Sequence, residues 1–240
     1  MSRVANGFRS LVLICAVCIA GIATPAMAAN APTVLLVVRE DGKSLAVDQA
    51  IQAHLEQLGY RVTLYDQYKP ASQANKVDLV VLSSTVRSRD LLGAYRDVPV
   101  PLVTWESDLL DDMAMTGKRP EVDFGKSEKQ HALWFVNAPH PLQAGLHAGI
   151  VNVYVKNAPM NWGKPGLGAT TIATLPGEPE KAAIFGYEKG ATMDYETVAP
   201  ARRVMFFLDN ETFGNLTPEG MLLFDAAIRW ATRPEAHPKP

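Results

Sequence analysis

Carboxylates, hydroxyls and a tryptophan stand where the apolar runs of this chain end. Ser83 and Ser84 follow Val77–Leu82, and Trp105 and Glu106 close the stretch that begins at Val100, with Asp108, Asp111 and Asp112 just behind. Arg39, Glu40 and Asp41 follow Thr33–Val38, Glu188 and Lys189 follow Ala182–Tyr187, and Asp209 and Asn210 follow Arg203–Leu208. If the runs are strands of an open α/β sheet, the groups at their carboxyl ends form one rim around a crevice. A rim of carboxylates with a tryptophan suits a saccharide or similar polyol, whose hydroxyls bond to carboxylates and whose C–H face packs on an aromatic ring. The candidate ligand-binding residues are therefore Ser83, Ser84, Trp105, Glu106, Asp111, Asp112, His140 and Glu188.

Catalysis is less clearly written. Ser83 and Ser84 lie between Leu82 and Thr85, without the glycines of a G-x-S-x-G elbow, so capping of the following turn competes with a nucleophilic role. His140 precedes Pro141, a pair that fixes a turn and aims the imidazole, although a hydrogen bond from that ring to backbone serves a turn equally well. His54 sits beside the apolar face of a helical stretch and reads as a packed histidine. A hydrolase acting on a carbohydrate-related substrate through Glu106 with Ser84 or His140 is the alternative to a purely binding rim. No His-x-His, H-E-x-x-H or calcium-loop spacing occurs, so no metal site is expected. The stretch Glu40-Asp41-Gly42-Lys43 has one glycine and two repelling carboxylates, which disfavours a phosphate cradle; no cofactor is expected.

Arg3 and Arg9 precede an apolar run from Leu11 to Ile22, and Ala26-Met27-Ala28 is a small-x-small cleavage pattern, so residues 1–29 read as an export signal. Both cysteines, Cys15 and Cys18, lie inside it, and the remainder has no thiol. The run is shorter than the roughly 20 residues that span a bilayer, so an exported periplasmic or extracellular protein with no membrane association after cleavage is expected. The formal net charge is −2 and no Lys/Arg cluster occurs, which argues against a nucleic-acid partner. One domain over 30–232 and a frayed, proline-rich tail over 233–240 complete the organisation.

The elements that must position the rim follow from periodicity. Thr33–Val38 is continuously apolar and predicts a central parallel strand. Ser44 is placed to cap a helix whose face carries Val47, Ala50, Ile51, Leu55 and Leu58, with Gly59 ending it. Arg61–Tyr65, Asp78–Leu82 and Pro101–Trp105 read as strands and Ser88–Tyr95 as a helix. Beyond Glu121 short strands take over, at His131–Val136, Ile150–Val155, Thr170–Thr174, Ala182–Tyr187 and Arg203–Leu208. Thr217 caps a closing helix with Pro218 at its first position, Met221, Phe224, Ile228 and Ala231 inside, and Asp225 and Arg229 toward water. The expected fold is a flavodoxin-like open, mostly parallel α/β sheet with helices on both faces and an irregular β-rich insertion.

Val77–Ser84, Val100–Glu106 with Asp111-Asp112-Met113, the His140-Pro141-Leu142 turn before Gly145-Leu146, and Ala182–Gly190 together resemble the exported branch of the class I glutamine amidotransferase-like superfamily, in particular the trehalose-utilisation (ThuA-like) proteins. The resemblance implies a flavodoxin-like sandwich and an association with polysaccharide metabolism. The chain departs from the amidotransferase pattern by carrying serines where those enzymes place a cysteine nucleophile.

Overall fold

The run Thr33–Val38 (β1) offers water no face: five of its six residues are buried. It pairs in parallel on one side with Arg61–Asp66 (β2) and on the other with Leu79–Leu82 (β3), as expected of a central strand. The computed structural model describes Met1 and residues 31–136 and 139–233, so the expected export signal and nearly all of the expected tail lie outside the described residues. Leu102–Thr104 (β4) continues the parallel run beside β3, and Arg203–Met205 (β11) lies parallel beside β4.

Beyond β11 the sheet changes direction. Glu178–Tyr187 (β10) runs antiparallel to β11, and Thr170–Leu175 (β9), Ala132–Phe135 (β6) and Gly149–Asn152 (β7) follow, giving the order β2-β1-β3-β4-β11-β10-β9-β6-β7 within an 11-stranded sheet. Phe124–Gln130 (β5) and Ala158–Gly163 (β8) form a branch, with β8 joined to β10 at Ala182. The mixed α/β sheet is the expected flavodoxin-like class, and β5 and β8 are strands that the periodicity did not disclose.

Period-two alternation divides the core into two layers. Val34, Leu36, Val38, Val103, Trp105, Val204 and Phe206 face Leu45–Gln57 (α1) and Pro218–Thr232 (α3), meeting Ile51, Leu55, Phe224 and Ile228. Leu35, Val37, Val80, Leu82, Leu102 and Met205 face the other way, against Leu91 of the short helix Ser88–Leu91 (α2), Tyr95, and the Leu109–Met115 segment. Ser88–Tyr95 is not one helix: it breaks at Leu92 (φ 46°) into α2 and a 3-10 turn. Thr217 caps α3 as expected, its hydroxyl accepting from the Gly220 N–H at 3.1 Å. Ser44 makes no side-chain cap on α1. Asp225, expected in water, is buried and accepts from His54 Nε2 at 2.7 Å and from Arg229 at 3.2 Å, which ties α3 to α1.

Candidate functional site

A cleft of about 280 Å³ opens at the carboxyl ends of β3, β4 and β11, where an open α/β sheet binds its ligands. Ser84 enters it from β3, Glu106, Ser107 and Asp108 from β4, and Asp209 and Asn210 from the segment after β11. The β5–β8 branch closes the far side with Glu121, Gly125, Lys126 and Asn161.

Glu106 is the best buried of the carboxylates here. Its Oε1 accepts the Asp108 N–H at 3.1 Å, capping a 3-10 turn over Ser107–Leu109, and its own N–H donates to Thr104 Oγ1 at 3.1 Å. Burial first, and then the nearby Asp108 charge, push its carboxyl up to about 8. At neutral pH Glu106 is therefore largely a neutral acid, with a proton it could donate to a ligand. Asn161 holds the frame: its amide donates to the carbonyls of Trp105 at 2.6 Å and Leu208 at 2.7 Å, and its oxygen accepts from Ser107 Oγ at 3.2 Å. One side chain thereby fixes the ends of β4 and β11 against β8. Lys126 reaches across to Asp209 at 3.4 Å. Ser84 is 5% exposed, and among the described residues its buried hydroxyl has no hydrogen-bond partner.

The adjacent Ser83 points elsewhere. Its hydroxyl donates to Asp48 Oδ1 at 2.6 Å while Thr85 Oγ1 donates to Asp48 Oδ2 at 2.8 Å. Asp48, on α1, is fully buried, and burial raises its carboxyl above the ordinary range against the pull of these two bonds. Ser83 serves the docking of α1 and not the cleft.

Trp105 also departs from expectation. It shares its face with Val103, because alternate residues of a strand point the same way, and that face is covered by α3. The indole is 1% exposed and lies 5.9 Å from the Phe224 ring, so only the Trp105 carbonyl reaches the frame of the cleft. Asp111 and Asp112 lie in the turn beyond and do not line the cleft; the Asp112 carbonyl accepts from Arg96 at 2.5 Å.

His140 and Glu188 stand at the opposite pole. Because β10 runs antiparallel to β11, Tyr187 pairs with Arg203 at the amino end of the parallel strands, and Glu188 follows there. Its carboxylate accepts from Arg202 at 2.7 Å, and the Arg202 guanidinium lies 4.8 Å over the Trp230 ring. His140 packs 5.7 Å from Trp230 and accepts the Leu142 N–H on Nδ1 at 3.1 Å, the turn-fixing role. Of the expected site residues, the structure brings only Ser84 and Glu106 together. Ser107, Lys126 and Asn161 escaped the sequence reading, the last two because they come from the unexpected β5–β8 branch.

Among the described residues no group of three or more His, Cys, Asp and Glu side chains is placed to hold a metal ion, and no helix is long and apolar enough to cross a membrane. No family model and no curated protein matches the chain. Solved structures do: over 82% of this chain and 92% of the other, the fold is similar to a Thermoplasma acidophilum protein described as one of the GMP synthase subunits, with 14% identity and a TM-score of 0.51. With identity that low the likeness is one of fold alone, that of a flavodoxin-like α/β sheet.

Proposed function

We propose that this chain is an exported accessory domain of the ThuA-like kind that binds a saccharide or small polyol in the cleft at the carboxyl ends of β3, β4 and β11. The observation that carries the reading is the Ser84 hydroxyl, buried and without a partner at the wall of a cleft lined almost entirely by polar groups. A buried hydroxyl forgoes its bonds to water at a cost of about 1–3 kcal/mol unless something else supplies them. A ligand hydroxyl does so, with Glu106, Asp108 and Asp209 as further partners. The cleft lies at the small end of the range for ligand sites, which favours one sugar unit or a short polyol. With Trp105 in the core, recognition rests on hydrogen bonds and not on ring stacking. A chain with no cysteine after Cys18 has no thiol for the amidotransferase reaction in this cleft, and no cofactor is invoked.

Titration of the protein with a panel of monosaccharides and sugar alcohols, followed by thermal shift and calorimetry, tests the reading. Binding that weakens by about 0.5–1.5 kcal/mol, the size of a neutral hydrogen bond, in Glu106→Gln or Ser84→Ala supports it. Saturable binding unchanged in both variants sinks it. A hydrolase reading draws on one observation, the largely protonated Glu106 near neutrality, which is what a general acid requires. His140 does not line the cleft and cannot assist there. Release of sugar from aryl glycosides, abolished in Glu106→Gln, would favour this second reading.

A further inference from the structure

The charges around the cleft do not balance. Glu106, Asp108, Glu121 and Asp209 line it against the single ammonium group of Lys126. Lys126 is already directed at Asp209. Among the described residues Glu106, Asp108 and Glu121 make no ion pair, and Glu106 lies so deep that it keeps its proton unless a cation stands beside it. The groups facing Glu106 are Asp108 on the 3-10 turn after β4, Asp209 after β11, and Lys126 on β5, so two neighbouring carboxylates outweigh one cation. A neutral polyol would satisfy the Ser84 hydroxyl and leave this imbalance in place. A divalent cation needs several oxygens converging at about 2.3–2.6 Å, and no such convergence of carboxylates is present among the described residues. An ammonium group on a hydroxylated frame meets both demands. Its three N–H donors reach carboxylates spread around a wall, and a neighbouring hydroxyl reaches Ser84.

We propose that the ligand of this cleft is an amino polyol or amino sugar, its protonated amine held among Glu106, Asp108 and Asp209 and one of its hydroxyls bonded to Ser84. The inference rests on the small-polyol reading of the same cleft and adds the charge. It is tested by calorimetry of the protein near neutral pH with three probes: glucamine, its uncharged counterpart sorbitol, and calcium chloride. Glucamine is expected to bind at least about tenfold more tightly than sorbitol, the size of one charge-assisted hydrogen bond. Asp108→Asn, a change at an exposed position, and Glu106→Gln are each expected to remove most of that preference by weakening glucamine severalfold more than sorbitol. Equal affinity for glucamine and sorbitol would overturn the ammonium assignment and leave the polyol reading standing. A preference for glucamine that survives both substitutions would show that the charge is read elsewhere and would equally overturn it. Calcium binding with no response to either organic probe, or no response to any of the three, would overturn the inference and the polyol reading together.

Discussion

The paired hydroxyls after β3 separate structural from ligand-facing chemistry one residue at a time. Ser83 is 1% exposed and gives Asp48 one of the two hydrogen bonds that let a carboxylate sit fully buried beneath α1. Ser83→Ala strips that bond from a group that cannot find water, so a loss of about 1–3 kcal/mol in denaturant unfolding is expected. Ligand affinity should be unchanged. Ser84 has no protein partner to lose. Ser84→Ala should therefore leave stability the same or slightly higher and weaken binding in the cleft. The reverse pattern, a destabilised Ser84→Ala and a neutral Ser83→Ala, would exchange their roles. Both serines were legible as strand-end hydroxyls, but which one faces the cleft was not, because that depends on the turn after β3. Trp105 was misread for a simpler reason: the alternation that places Val103 under α3 carries on through Thr104 and takes Trp105 with it. Glu106, on the other face, emerges at the cleft.

Elements are held by side chains that the periodicity cannot rank. Arg203 begins β11 with its guanidinium fully buried and, among the described residues, no carboxylate bonded to it, donating to the carbonyls of Arg96, Val98, Val100, Ala201 and Arg202. It thereby secures the connection from Tyr95 to β4. Desolvation draws its guanidinium down to about 10, still charged at neutral pH. Arg203→Met keeps the bulk but abandons those acceptors, and a loss of about 1–3 kcal/mol is expected, as when buried acceptors are left unsatisfied. A variant melting within a few degrees of the wild type would show that water replaces the guanidinium. Leu36, fully buried in β1, should cost about 2–5 kcal/mol as Leu36→Ala, and Leu36→Asp should not fold at all. The parallel half of the sheet was readable because β1, β3 and β4 are apolar on both faces and α1 and α3 show their helical stripes. The antiparallel half was readable as strands without direction, and direction is what misplaced Glu188. The branch was missed because β5, FGKSEKQ, carries three charged residues among seven and β8, APMNWG, contains a proline, an asparagine and a glycine.

For the molecule as a whole, burying acids at the cleft and under α1 shapes how stability depends on pH. Glu106 holds its proton up to about pH 8 in the folded state, against 4.5 as the ordinary value of an unfolded glutamate. Across that window the folded protein binds more protons than the unfolded chain, so stability falls as pH rises. The contribution is fully present below the unfolded value and lost above about 8. Asp48, raised by burial, acts in the same direction. Asp41 beside Arg39, and Asp78 bonded by Thr33, are lowered, so their stabilisation is present above the ordinary aspartate range and lost only as the solution becomes strongly acidic. His140, lowered by burial, opposes Glu106, since it sheds its proton more readily when folded and favours the fold as pH rises through the histidine range. A direct comparison isolates the Glu106 contribution. Glu106→Gln keeps the shape and can still accept from the Asp108 N–H, but it has no proton to release. The wild type should lose stability relative to this variant steadily between about pH 5 and about pH 8, the two being closest at the acid end. Chemical denaturation at several pH values reads the difference directly. A difference that stays constant over that range would mean that Glu106 titrates as an ordinary solvated carboxylate, and the neutral acid at the wall of the cleft would have to be given up.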